Sequence, residues 1–578
     1  MTLRPPPRTL WTLLRPFRRT WLTAVGALLL VHVIEALIPL CLKEGIDRIV
    51  ANDRRLLAPV AAILALTVLR YATLSFGRRR NALLSTEISF GLRRAVYERL
   101  MDQGPVFFGR YALGDLMARA TNDIEAIWFF FRSNTHRLVS MLALLIVAPA
   151  FMALQSGALT ILVVALLAAL TTVSWFLAGA IRQRTGAVHA GFGTLTEQVQ
   201  QSLRGVHTIQ AHAQEERETR QFRRISDTYA QASYRLARFN GLLNATVGAG
   251  GSAITLAVVA VGGLRVQAGA MSIGTLTSFI FYLSMIMWVV RQSAIPARHL
   301  VRAIVGIRRV SEILDAPPEL TDTPEPSPLD TVRGHIALED VAVRFPDGTE
   351  ALRDVGVTIQ PGELVAIVGR IGAGKSTLLR LLCRRSDPSA GRVALDGHDL
   401  TAIPLRQLRR TIAFVAQDSF LFAAPIGENI SQDDPDRPAE AIWRAAEAAA
   451  LASTIRAFPN GLDTPVGERG LTLSGGQRQR TSLARGIIRD TPVLLLDDCF
   501  SALDAETELQ ILRALRRLRS SRTTLFVTHR MSAARHADRI LTLDEGRVVE
   551  LGTPAELLAA RGLYAGFVAR QTEEAVAS

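Results

Sequence analysis

Six long apolar runs lie in the first half of the chain, at residues 21–42, 58–76, 138–155, 157–180, 242–264 and 273–290. Each comes close to the ~20 residues that a helix needs to cross a hydrocarbon core ~30 Å thick. The first run is too long for a signal-peptide core and no convincing cleavage site follows it, so it is expected to stay as a span. Just before it, residues 7–19 mix Leu, Trp and Phe with Arg, the pattern of a helix lying in a membrane interface. The segments between runs two and three and between runs four and five have a helical pattern too, which predicts long helical hairpins rather than loops. A helix rises ~1.5 Å per residue, so such hairpins reach tens of Å beyond the bilayer. Residues 315–334 carry Pro317, Pro318, Pro324, Pro326 and Pro328 among acidic and hydroxyl residues, the signature of an extended linker. From about Val332 the pattern changes to short Val/Ile/Leu strands alternating with helices, an α/β domain with no further span. The expected organisation is an all-α six-helix transmembrane domain over residues 1–315, a linker over 316–332 and an α/β domain over 333–578.

Composition agrees with a membrane part. The 578 residues are 49% hydrophobic and only 20% charged, against about 25% charged in ordinary soluble chains. The apolar fraction excludes a disordered chain. The net charge is +14, and only two of the 66 basic residues, Lys43 and Lys375, are lysines. The arginines orient the spans. Five lie in the first 20 residues, ten in residues 78–137 and nine in residues 182–238, whereas the opposite side has short loops. The basic segments are therefore cytoplasmic, and six spans return the chain to the cytoplasm, where the α/β domain must lie. The positive charge is thereby accounted for. No basic face interleaved with aromatics marks the second half, so nucleic-acid binding is excluded. Three cysteines, Cys41, Cys383 and Cys499, encode no disulfide framework.

The chemistry sits in the second half. A buried-strand pattern at residues 364–368 runs into Gly369, Arg370, Ile371, Gly372, Ala373, Gly374, Lys375, Ser376 and Thr377, followed by a helical run. This is the phosphate loop G-x-x-x-x-G-K-[ST] in its strand–loop–helix setting. Backbone N–H groups close around phosphate at the helix N-terminus, Lys375 reaches the β/γ-phosphates and the Ser376 hydroxyl binds Mg²⁺. A second core strand, residues 493–497, ends in Asp497 and Asp498, where a carboxylate can hold the Mg²⁺ shell. Ser474, Gly475, Gly476 and Gln477 precede a helical run and put a hydroxyl and N–H groups at its N-terminus, a second anion site.

With these motifs in this order the chain resembles the ATP-binding cassette exporters that carry membrane and nucleotide-binding domains in one polypeptide, and the resemblance covers nearly its whole length. It implies a six-span helical domain with long cytoplasmic hairpins fused to an α/β P-loop nucleotide-binding domain, ATP and Mg²⁺ as cofactors, and a multi-pass location in a bacterial inner membrane. It also implies roles. Ser474, Gly475, Gly476 and Gln477 match the signature that completes the nucleotide site of the opposite subunit. Gln417 matches the glutamine that senses Mg²⁺ and touches the membrane domain. Residues 501–504 match the loop at the dimer seam, and His529 the switch histidine on the γ-phosphate. Phe345, followed by Pro346, falls where an aromatic lies against adenine. Residues 464–470 resemble the segment that meets the coupling helices. Gly114, Asp115, Leu116 and Met117, with Asn122, Asp123 and Gln214–Glu216, resemble cytoplasmic-hairpin patterns.

One departure bears on mechanism. The family follows the Mg²⁺-associated Asp with Glu, which polarises the attacking water; here that position is Asp498. The shorter side chain retracts the carboxylate by ~1.5 Å, one carbon–carbon bond, and a misplacement of ~1 Å can cost ~10²-fold in rate. The site is expected to bind ATP and to hydrolyse it slowly. An intact signature beside an altered carboxylate resembles one subunit of the heterodimeric bacterial exporters, with a second half-transporter as partner and an amphipathic or hydrophobic compound as cargo. The alternatives are a homodimeric lipid flippase or multidrug exporter with Asp498 as base, and a regulatory or channel-type membrane protein that uses ATP only as a ligand. Within the spans, His32 and Glu35 lie three apart on one helix face and can meet, Arg70 interrupts the second span, and Arg291 and Gln292 follow Trp288. These residues are candidates equally for substrate contact and for helix packing. Phe279, Phe281 and Trp288 are candidates for an apolar cavity, for packing or for lipid contact.

Overall fold

The computed structural model of the chain describes residues 10–292, 294–323, 326–345, 347–467, 470, 472–518 and 522–577. Residues 7–9 of the interfacial segment, Pro324, Pro346, and Glu468 and Arg469 of the 464–470 segment lie outside the described residues. Two compact units form: residues 1–101 with 111–316, and residues 102–110 with 317–578.

The first unit is helical. Among the described residues, six helices are long and apolar enough to cross a membrane: Thr12–Val50, Leu57–Met101, Leu113–Ala153, Gly157–Arg204, Glu215–Gln267 and Ile273–Gln292. We label the regular stretches α1 (Arg18–Val50), α2 (Leu57–Met101), α3 (Thr135–Ala153), α4 (Gly157–Arg204), α5 (Glu215–Gln267), α6 (Ile273–Gln292) and α7 (Ala294–Asp315). The spans and the hairpins are the same helices. α2 runs unbroken for 45 residues and α5 for 53, the latter about 80 Å long at the standard rise. Gly77 and Gly241 stand where the apolar runs end, yet neither breaks its helix, which continues into the polar stretch. The helix leading into α3 instead contains two π turns, Arg119–Asp123 and Phe130–Asn134. Each inserts a residue and re-aims the side chains around it.

Apolar packing and a few polar ties hold this unit. Phe279, Tyr282, Leu283 and Ile286 of α6 are buried with Ala36 of α1 and Ala148 and Met152 of α3. The Tyr282 hydroxyl donates to the Ala36 carbonyl at 2.6 Å. At the other end of α1, Asp47 accepts from the Gly274 N–H at 2.9 Å and the Ser272 hydroxyl at 2.8 Å, capping α6. Near the first π turn, Arg119 donates to Asp115 at 2.8 Å, Glu312 at 2.6 Å and the Arg309 carbonyl at 2.9 Å. Arg309 also pairs with Asp115 and with Asp123. Two hairpin-pattern aspartates therefore fasten α7.

The second unit has two sheets. Strands β1 (Ile336–Arg344), β2 (Glu350–Ile359), β4 (Ala390–Leu395) and β5 (His398–Asp399) form an antiparallel sheet in the order β2-β1-β4-β5. Strands β3 (Leu364–Gly369), β6 (Ile412–Val415), β7 (Val493–Asp497), β8 (Thr523–Val527), β9 (Arg539–Asp544) and β10 (Arg547–Gly552) form a sheet in the order β10-β9-β3-β8-β7-β6. All its pairs are parallel except β9–β10. Its central strands are buried on both faces, as parallel strands covered by helices must be. Leu378, Leu379, Leu381 and Leu382 of α8 (Lys375–Leu382) pack on one face with Val365, Ile367, Val493 and Leu495. Leu483, Ala484 and Ile487 of α9 (Gly475–Ile487) pack on the other with Ala366, Val368, Leu494 and Leu496. The described linker residues are irregular and are pinned within this unit. Arg384, 3% exposed, donates to the Thr321 carbonyl at 3.2 Å. Glu319 accepts from the N–H groups of Val106 and Phe107, which ties residues 102–110 to it.

Candidate functional site

Parallel register brings the C-terminal ends of β3, β8, β7 and β6 side by side, the usual place for a ligand in such sheets. The loop after β3 turns on glycines that nothing else can replace. Gly369 has φ 154° and a Cβ there would lie 2.1 Å from the Leu543 carbonyl oxygen; Gly374 has φ 96° and a Cβ there would lie 2.5 Å from that of Ala351. The Lys375 ammonium folds back over the loop, donating to the carbonyls of Gly369 at 2.9 Å and Arg370 at 2.8 Å. Burial pushes its pKa down, and Asp498 and Asp497 push it back up. Ser376 donates to Asp497 Oδ1 at 2.8 Å. Arg370 and Ile371, by contrast, stand at the exposed crown of the loop, with Ile371 93% exposed.

The other predicted residues gather at the same edge. Gln417, just beyond β6, donates from Nε2 to Asp498 Oδ2 at 3.5 Å. Asp498 has φ 45°, a left-handed conformation uncommon for a residue with a side chain. Burial raises its carboxyl pKa and Asp497 adds to the rise, while His529, Lys375 and Gln417 oppose it. Burial and the Lys375 charge lower the pKa of His529, which favours its neutral imidazole. Phe345 follows β1 and is 40% exposed.

Ser474 caps α9 with a reciprocal pair of bonds: its hydroxyl accepts from the Gln477 N–H at 3.3 Å, and Gln477 Oε1 accepts from the Ser474 N–H at 2.9 Å. Gly475 and Gly476 open the helix, so their N–H groups have no carbonyl one turn back. Gly475 shares a groove of 690 Å³ with Gln417, Arg478, Gln479 and Ala502; no residue of the phosphate loop lines it.

Four residues that sequence reasoning missed tie these parts together. Gln479 donates to the Ser501 hydroxyl at 2.9 Å and accepts from the Ala502 N–H at 3.0 Å, and the Ser501 hydroxyl donates to the Asp498 carbonyl at 3.2 Å. Arg530 donates to the Leu503 carbonyl at 2.7 Å, the Ser501 carbonyl at 3.2 Å and Glu508 at 3.0 Å. Gln571 of the last helix donates to the His529 carbonyl at 2.5 Å and accepts from the Met531 N–H at 2.8 Å. Gln479 and Arg530 adjoin motif residues, which was the only signal available; Glu508 and Gln571 had none.

In the first unit, His32, Glu35 and Arg70 do meet. His32 Nδ1 lies 3.1 Å from Glu35 Oε2, and Arg70 donates to Glu35 Oε1 at 2.8 Å. Arg291 is exposed and Gln292 half-buried. Of the aromatic candidates, Phe279 is fully buried in the helix core, whereas Phe281 and Trp288 are 47% and 48% exposed.

Comparison with known proteins matches residues 21–290 to the ABC transporter transmembrane region and residues 352–501 to the ABC transporter domain. The chain is 32% identical over 574 residues to the "ATP-dependent lipid A-core flippase" of Ralstonia nicotianae, covering 97% of this chain and 95% of that one. It is also 32% identical to the "Probable multidrug resistance ABC transporter ATP-binding/permease protein YheI" of Bacillus subtilis, covering 95% of each. A solved bacterial Atm1-family ABC exporter with ATP bound superposes with a TM-score of 0.78 at 28% identity, covering 96% of this chain and 99% of that one.

Proposed function

The chain belongs to the ABC transporters, of the exporter type with fused membrane and nucleotide-binding domains, and from that membership we propose that it is one of two unlike subunits of a dimeric exporter of amphipathic or hydrophobic compounds. As an ATPase-coupled transporter it is a multi-pass membrane protein with a cytoplasmic ATP-binding domain, and exporters of this family work as dimers. The finer reading concerns which sites turn over. Its own phosphate loop holds ATP, and its own site hydrolyses ATP slowly. Its signature serves the ATP held by the partner subunit.

The observation that carries this reading is Asp498 in the place of the longer carboxylate, beside an uninterrupted signature. In the proposed mechanism, the N–H groups opening α8 and the Lys375 ammonium hold the phosphates. Lys375 exchanges its two carbonyl contacts for phosphate oxygens. Ser376, Asp497 and the side-chain oxygen of Gln417 would hold Mg²⁺, an all-oxygen choice of donors that fits this ion. The ion, when bound, neutralises charge on the β/γ-phosphates. Asp498 orients and deprotonates the attacking water, from a position about 1.5 Å too far back. Neutral His529 offers one ring N–H to a γ-phosphate oxygen. Phe345 lies against the adenine. Closure of two nucleotide domains on ATP drives the membrane domains toward an outward-facing state, and hydrolysis resets them.

The test uses the mixed complex with its partner subunit. Asp498→Asn leaves ATP turnover nearly unchanged, and Ser474→Ala lowers it sharply; the opposite ranking defeats the proposal. A homodimeric flippase or exporter is the second reading, favoured by Asp498 lying within reach of Gln417 and facing His529 and Lys375. Vigorous ATP turnover by the chain purified alone would establish it.

A further inference from the structure

The polar network between the first three spans has a property that the transport reading does not use. His32 is 4% exposed and Ser140 1% exposed. His32 Nε2 lies 2.8 Å from Ser140 Oγ on α3, and Nδ1 lies 3.1 Å from Glu35 Oε2 on its own helix. Ser140 Oγ also lies 2.8 Å from the His136 carbonyl oxygen and 3.5 Å from His136 Nδ1. Arg70 and Arg78 approach from α2, Arg70 on Glu35 at 2.8 Å and Arg78 on His136 at 3.4 Å. Arg137 adjoins His136 on α3, and the rings of His32 and His136 are stacked 6.4 Å apart. From α6, the Tyr282 hydroxyl is committed to the carbonyl of Ala36, one turn along α1 from His32.

A hydroxyl has one hydrogen, and a neutral imidazole has one ring N–H. With Glu35 as a carboxylate, two proton arrangements satisfy the distances. In one, Ser140 donates to His32 Nε2 and the Nδ1–H donates to Glu35, so His32 is neutral. In the other, Ser140 donates to the His136 carbonyl, the Nε2–H donates to the Ser140 oxygen and the Nδ1–H still donates to Glu35, so His32 is an imidazolium. The two differ by one proton, taken from water and returned to it, and by one turn of a hydroxyl. Both ring nitrogens stay partnered in each. An ordinary buried histidine satisfied by fixed donors and acceptors lacks this freedom, because gaining or losing a proton leaves a polar atom without a partner.

We propose that His32 is a reversible proton-binding site of the membrane domain, and that its occupancy is coupled to the arrangement of the first three spans. The partners that make both states tolerable come from different helices: Ser140 from α3, and Arg70, which donates to Glu35, from α2. Movement of α3 away from α1 leaves the Nε2–H of the imidazolium without its acceptor. Movement of α2 away removes the cation that shares Glu35 with the imidazolium. Either change alters proton affinity. By linkage, pH then biases the helix arrangement as much as the arrangement biases protonation.

The test is magic-angle-spinning NMR of the full-length chain, assembled with its partner subunit in lipid nanodiscs and labelled with ¹⁵N in histidine. His32→Gln assigns the ring signals by their loss. The wild-type ring is expected to show both the neutral and the imidazolium form across the pH range in which the assembled complex is stable. A non-hydrolysable ATP analogue is expected to move its midpoint by roughly 0.7 pH unit or more, about fivefold in proton affinity. A ring that keeps one protonation state across that range, or a midpoint that the analogue does not move, overturns the proposal. ATP turnover against pH gives a second reading. His32→Gln is expected to lose one step of the profile, and His207→Gln, at an exposed position on the cytoplasmic hairpin, to keep it. Superimposable wild-type and His32→Gln profiles overturn the proposal as well.

Discussion

Asp498→Glu is the substitution that most directly tests the proposal that this site is slow. The carboxylate it extends is held from both sides. The backbone of Asp498 is left-handed at φ 45°, and the Ser501 hydroxyl bonds its carbonyl at 3.2 Å. It therefore has little freedom to slide forward and make up for a short side chain. The carboxylate stands 3.5 Å from Gln417 Nε2, at the outer limit of a hydrogen bond. The added methylene advances the carboxylate by about 1.5 Å. If ~1 Å of misplacement costs ~10²-fold, the substitution should raise kcat by roughly 10²-fold, about 2.7 kcal/mol of transition-state stabilisation. KM should stay near its wild-type value, because the loop that binds the phosphates is untouched. The assay is ATP turnover by the chain purified without a partner, at saturating nucleotide and across pH. Burial pushes the Asp498 carboxyl up, and a base acts only while deprotonated. Any activity that depends on Asp498 must therefore fall away on acidification at a pH above the ordinary carboxylate range near ~4. In Asp498→Asn that acid limb should vanish along with the small residual rate. An unchanged or lower kcat in Asp498→Glu, together with brisk wild-type turnover abolished by Asp498→Asn, would refute the reasoning. It would show that the shorter carboxylate is already well placed.

Three further outcomes follow from the geometry. Gly374→Ala forces a Cβ to within 2.5 Å of the Ala351 carbonyl oxygen at a φ of 96°; it should abolish ATP binding, measured by fluorescent-nucleotide titration, while the membrane helices keep their far-UV signal. Arg530→Ala strips the partner from Glu508, which is 3% exposed and whose carboxyl pKa burial already raises. The loss should be on the order of 2 kcal/mol, moderated because the Arg530 side chain is itself 36% exposed; a raised acid is most stable protonated, so the penalty in thermal unfolding should be smaller at pH 5 than at pH 8. Arg119→Leu leaves Asp115 and Glu312 without their shared cation; it should lower the unfolding temperature of the membrane domain by several degrees and Arg119→Lys should recover only part, since the donors of an ammonium sit on one nitrogen and do not reproduce the spacing of the Nε and Nη1 donors that Arg119 uses.

Much of this was legible in the sequence, and the residues show why. Runs of about 20 apolar residues have few alternatives to a membrane span, and the six appear where the hydropathy placed them. The phosphate loop was readable because strand, glycines, lysine and helix must follow one another locally. The His32–Glu35 contact was readable because it spans one helical turn. What stayed hidden depends on three dimensions or on the absence of a residue signature. Nothing in residues 119–123 or 130–134 announces a π turn, because it is an extra residue rather than a special one. Arg70 reads as a lone charge within a span until α2 sets it against Glu35. Gln571 lies 42 residues from the His529 carbonyl that it bonds, and no local pattern joins them.

The alternation of side chains along the central strands bears on the proposal that one chain carries two unmatched halves of a nucleotide site. In β3, Leu364, Ala366 and Val368 belong to one apolar cluster and Val365 and Ile367 to the other; in β7, Leu494 and Leu496 divide from Val493 and Leu495 in the same way. The first set packs with α9, the helix that Ser474 caps, and the second with α8, the helix that Lys375 opens. The two helix ends proposed to bind anions therefore belong to helices on opposite faces of one sheet, and the groove beside Gly475 contains Gln417 but no residue of the phosphate loop. A triphosphate gripped by the N-terminus of α8 must take its second clamp from another polypeptide, as expected of a dimer built from facing copies of this fold. Substitutions in one chain should then separate by face. Those at Lys375, Ser376 and Asp498 should change the fate of the ATP this chain holds, and those at Ser474 or Gly476 the fate of the ATP its partner holds. A chain with a weakened carboxylate and a sound signature can then be slow at its own site while remaining indispensable to its partner's.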